Sequence, residues 1–79
     1  MSTYESRKMK QCFCERLREL RLARKMSQSE LADALGLSRS AVGMYEQGHR
    51  EPDFEVLGKI VSFSGVSFDW LLGYEEIVF

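Results

Sequence analysis

The apolar positions of the chain fall into five short groups. Each group is spaced for a helix and bounded by residues that start or stop one. Phe13, Leu17 and Leu20 follow an i, i+4, i+7 rule, which predicts an amphipathic helix ending near Lys25. Ser27 is a good N-cap for a second helix, and Glu30 three residues later completes a capping box. Leu31, Ala32 and Leu35 give that helix its buried side, and Gly36 stands where a left-handed residue is wanted to end it. Ser38 caps a third helix, Arg39 to Gln47, and Gly48 stops it. Pro52 and Asp53 introduce a fourth, in which Phe54, Leu57, Ile60 and Val61 are expected to face inward before Gly65. Ser67 caps a short fifth helix, "FDWLLG", closed by Gly73.

Strand signals are almost absent. Only the closing run "EEIVF" is β-like, and it is too short for a sheet. The pattern therefore predicts an all-α fold, a compact five-helix bundle. The opening residues, "MSTYESRKMK", are polar and basic, and are expected to form a loose arm over residues 1–11. With no repeat, low-complexity tract or linker, residues 12–73 read as one domain and 74–79 as a short tail.

The third helix divides its residues unusually. At about 100° per residue, Ala41, Val42 and Tyr45 share an arc of about 100° that is fit for a core. Arg39, Ser40, Gly43, Met44 and Gln47 occupy a separate arc of about 140° that would meet whatever lies outside. Two helices joined by a short turn containing Gly, here Gly36-Leu37-Ser38, form a helix-turn-helix arrangement. In that geometry the second helix enters the major groove of DNA, with its N-terminal residues at the base edges. Spacing alone leaves a generic helical hairpin equally open.

Composition narrows the choice by exclusion. The 79 residues, 44% hydrophobic and 29% charged, suit one small globular domain near the lower limit for a self-supporting core. No apolar run approaches the roughly 18 residues of a membrane span, and no signal-peptide core follows Met1, so a cytoplasmic location is expected. Cys12 and Cys14 would lie on nearly opposite sides of a helix, which is poor geometry for a disulfide or a shared metal. His49 is the sole histidine, so the two cysteines lack the partners for a tetrahedral zinc site, and a nucleophile–His constellation has little to be built around. Neither an enzyme, a metal nor a cofactor is expected.

The net charge of −1 argues against nucleic acid as a partner, but its distribution does not. Residues 1–27 carry eight Lys/Arg against three Asp/Glu, and residues 28–79 carry three against nine. A basic surface on an acidic chain is thus open, beside the plainer reading of a solvated, salt-bridged exterior.

Specific residues tip the balance. The stretch "MSQSELADALGLSRSAVGMYEQG" resembles the helix-turn-helix of the lambda-repressor/Cro-like (XRE) transcriptional regulators. The matching positions are Ser27-Gln28, Leu31-Ala32, Gly36, Ser38, Val42 and Tyr45-Glu46-Gln47-Gly48, and the likeness runs from about Phe13 through "LRELR" to "GVSFDWLLG". The resemblance implies a lambda-repressor-like domain that binds double-stranded DNA, with Arg39, Ser40, Gly43 and Met44 at base-reading positions. It further implies phosphate contacts from Ser27, Gln28, Ser38, His49 and Arg50, and an ion pair between Arg21 and Glu46. Gly43 has no side chain, so one contact position is empty. Ser64 stands where the family usually has leucine, and Gly58 interrupts the fourth helix. Glu51, Asp53 and Glu55 suggest a face turned away from phosphate.

Regulators of this type usually dimerise on near-palindromic sites, so a homodimer is expected at least on DNA. Trp70, Leu72 and the tail residues Ile77, Val78 and Phe79 are the apolar candidates for its interface. A compact repressor, an antitoxin paired with a toxin, a restriction-modification controller and a phage-type repressor fragment all remain open. So does a protein-interaction module that keeps the helices without the DNA function.

Overall fold

The computed structural model describes residues 3–74, with side chains from Ser6 onward. The chain forms five helices: α1 (Thr3–Ala23), α2 (Gln28–Leu35), α3 (Arg39–Gln47), α4 (Phe54–Ser64) and α5 (Phe68–Leu72). Among the described residues there is no strand, and no helix is long and apolar enough to cross a membrane. The "EEIVF" run lies outside the described residues.

Local chemistry sets the ends of the helices. Ser27 Oγ accepts from the Glu30 N–H at 3.0 Å, and the Glu30 carboxylate accepts from the Ser27 N–H at 2.7 Å. Ser38, Asp53 and Ser67 cap α3, α4 and α5 through the first of these bonds alone, each side-chain oxygen accepting the N–H three residues on. The C-termini of α2 to α5 all meet a glycine in the left-handed conformation. α1 closes differently, on Lys25 with φ 56°, alone among the described non-glycine residues in having positive φ. The Met26 N–H reaches Arg21 O at 3.1 Å, and the Lys25 N–H reaches Leu22 O at 3.0 Å. That is the usual glycine-type closure carried out by a residue with a Cβ, at a cost of about 1–2 kcal/mol.

The core is small and well sealed. Phe13, Leu17, Leu31, Val42, Ile60 and Leu71 are almost wholly buried, and Phe13 meets Tyr45 edge-on at 6.0 Å. α1 packs against α3 and α5, while α2 packs against α3 and α4. Trp70 is half-buried beneath the Arg16 guanidinium, 4.5 Å from its ring centroid. The unusual Ser64 finds local partners. Its hydroxyl donates to Ile60 O at 2.7 Å and accepts from the Val66 N–H at 3.3 Å, holding the end of α4. No close packing explains Gly58, because a Cβ there would meet nothing within 4 Å.

Two expectations need correction. The opening stretch is helical from Thr3 rather than a loose arm. It holds good helix formers and no Gly or Pro, so α1 extends N-terminally from its apolar stripe without a break. Phe54 does not face inward but is 89% exposed. Val56, Leu57 and Ile60 carry the buried side of α4. They share an arc of about 100°; Phe54 falls about 60° outside it, and Val61, about 40° outside it, is half-buried.

Candidate nucleic-acid interface

α2 and α3 are joined by Gly36, Leu37 and Ser38. The left-handed Gly36 ends α2, and half-buried Leu37 packs against the core. This seats α3 on Ala41, Val42 and Tyr45, all buried. Arg39, Ser40, Met44 and Gln47 are exposed on the other side, with Gly43 half-buried among them. Apart from the Gln28 side chain beside Gly43, no part of the described chain covers that side.

A polar network fixes the angle at which α3 is presented. Arg21 Nε donates to Glu46 Oε2 at 2.7 Å, and Arg21 Nη2 donates to Glu46 Oε1 at 3.1 Å. This is a two-pronged pair between α1 and α3, mostly shielded from solvent. Arg21 Nη1 donates to Met26 O at 3.0 Å, and Gln28 Nε2 donates to Glu46 Oε1 at 3.2 Å. One carboxylate thus ties the end of α1, the start of α2 and the last turn of α3 together. The hydrogen bond from Glu46 and its charge raise the Arg21 pKa above its ordinary value, against the opposing effect of burial. The bond to Met26 O is a link that no spacing in the sequence signals.

The other candidate residues surround this frame. Gln28 lies across the gap left by Gly43, where an added Cβ would sit 3.7 Å from Gln28 Oε1. Ser27 and Ser38 already accept backbone N–H groups through their hydroxyl oxygens. What each offers an outside phosphate is therefore its hydroxyl proton and the unpaired N–H groups of the first turn. His49 and Arg50 are exposed just beyond α3, and the Arg50 guanidinium stands 5.6 Å from the Tyr45 ring centroid. Asp53 is engaged as the cap of α4.

The cysteines serve no site of this kind. Both are free and half-buried, and no group of potential metal ligands occurs among the described residues. Burial pushes the Cys14 thiol up from its ordinary value, partly countered by Lys10.

Fold and site together define a compact helix-turn-helix domain whose second helix is bare on its outer side. A family model described as helix-turn-helix matches residues 17–71, and the chain belongs to that family, in its lambda-repressor/Cro-like (XRE) form. It is 45% identical over 60 residues to the SPbeta prophage-derived uncharacterized HTH-type transcriptional regulator YonR of Bacillus subtilis (strain 168), covering 76% of this chain and 56% of that protein. The uncharacterized HTH-type transcriptional regulator YqaE of the same organism is 43% identical over 64 residues, covering 81% and 55%. The cryptic phage CTXphi transcriptional repressor RstR of Vibrio cholerae is 31% identical over 64 residues, covering 81% and 58%. The chain spans about half the length of these curated relatives. No solved structure matches it.

Proposed function

We propose that this chain is a sequence-specific double-stranded DNA-binding regulator of transcription, most simply a repressor, acting in the cytoplasm on the nucleoid. The observation that carries the reading is the uncovered outer side of α3, held at a fixed angle by the Arg21–Glu46–Gln28 network. Names of relatives in the same family, which include transcriptional regulators and a phage repressor, support it.

In this reading α3 lies in the major groove. Arg39 offers two donors to one guanine, Ser40 bonds a base edge and Met44 makes apolar contact with a thymine methyl. Gly43 brings the backbone close without adding a contact of its own. Ser27 and Gln28, at the N-terminus of α2, and Ser38, His49 and Arg50 around α3 hold phosphates and set the register. One short helix reads few bases, so the working form is a homodimer on a near-palindromic operator, its half-sites about 34 Å apart. The role is one of recognition, without chemistry or a cofactor.

Selection of bound duplexes from a random pool, followed by titration against salt, tests this. Affinity is expected to fall linearly with the logarithm of salt, by about 0.9 log unit per phosphate neutralised and log unit of salt. Arg39→Ala should relax base preference by about 1–3 kcal/mol at one position, and Gln28→Ala should weaken all sequences alike. Negligible affinity at low salt would leave a protein-interaction module as the better reading.

A further inference from the structure

The exposed ring of Phe54 stands beside an apolar groove that the DNA reading does not use. The groove encloses about 250 Å³ between the N-terminal half of α1 and the segment leading into α4. Met9, Pro52, Leu72 and Phe54 itself line it together with Phe13 and Leu57 of the core, and Lys10 and Glu51 supply its charges. A cavity of about 150 Å³ already accommodates a benzene ring, so the groove has room for one aromatic side chain. Among the described residues neither Lys10 nor Glu51 is in an ion pair, although they carry opposite charges on one small surface.

We propose that this groove is the contact to a second copy of the chain, made reciprocally. Phe54 of each copy enters the groove of the other, and Lys10 of each meets Glu51 of the other. The inference rests on the DNA-binding reading and names the surface its homodimer uses. A patch with an apolar projection, an apolar recess and both signs of charge is self-complementary under a twofold axis. Trp70 suits the role less well, because Arg16 already covers its ring. Leu72 belongs to the groove, in a supporting place. Two aromatic side chains bury about 300–500 Å² between them, well short of the roughly 1,200 Å² of a stable interface. The dimer is therefore weak in solution and completes on DNA.

The test compares duplexes carrying one or two half-sites, recovered by selection with the unaltered chain. The mass of each complex is measured by sedimentation. The unaltered chain should load the two-site duplex with two copies cooperatively. Phe54→Ala should cost about 100-fold in two-site affinity while leaving one-site affinity and the melting temperature unchanged. Lys10→Glu and Glu51→Lys should each lose the second copy, and the double variant should regain it. Unchanged cooperativity in Phe54→Ala, or no rescue in the double variant, overturns the proposal. If selection recovers no duplex, the DNA reading fails by itself. Sedimentation of free protein at high concentration then decides the interface: a dimer lost in Phe54→Ala sustains it, and a chain monomeric throughout overturns it. A monomer on the two-site duplex likewise overturns it.

Discussion

Arg21 directs three nitrogens at two neighbours, and its planar fork suits the task in a way an ammonium does not. Its partner Glu46 also accepts from Gln28, so removing the carboxylate strands a shielded cation and an amide together. Glu46→Ala is expected to lower stability by about 3–5 kcal/mol, since breaking a buried pair costs far more than the intact pair contributes. DNA affinity should fall with it. Urea and thermal melts check this, and an unchanged midpoint would remove the pair from any structural role. Lys25 presents the opposite case, a residue whose backbone is strained. Replacing it with glycine should raise stability by about 1 kcal/mol, a melting shift of roughly 4–8 °C in a domain this size. A lower melting temperature would mean that the lysine side chain holds something the strain conceals.

At the scale of elements, α4 is the least optimised helix. Gly58 sits in its middle with open space where a side chain would be. Gly58→Ala should therefore stabilise by about 0.5–1 kcal/mol, seen as a higher denaturant midpoint with an unchanged slope. The same helix shows how far sequence reasoning reaches. Ser27, Ser38 and Ser67 were legible as caps because capping depends on neighbours only three residues away. The inward side of α3 was legible because Ala41, Val42 and Tyr45 permit only one arc. Phe54 was not, because hydrophobicity does not say whether a helix's first turn has anything to pack on. Residues 3–11 were misjudged for a related reason: a polar helix has no apolar stripe to announce it. Of the candidate site, exposure and network geometry are visible, while the part each side chain plays on a duplex awaits the selection described above.

The molecule as a whole is close to the smallest size that holds a core, and its helices are mostly too short to persist alone. It should unfold in one step, with the fluorescence of Trp70 and far-ultraviolet circular dichroism giving coincident transitions. Separated curves would show that α1 outlasts the rest. The cross-brace centred on Glu46 has a wider consequence. Orientation is assigned to positions 21, 28 and 46, while the bare residues 39, 40, 44 and 47 have no part in the brace or the sealed interior. Transplanting those four from another relative should redirect target choice without disturbing the scaffold. If α3 reads DNA as proposed, such a division lets a lineage explore new operators by point changes while folding stays out of reach of the experiment.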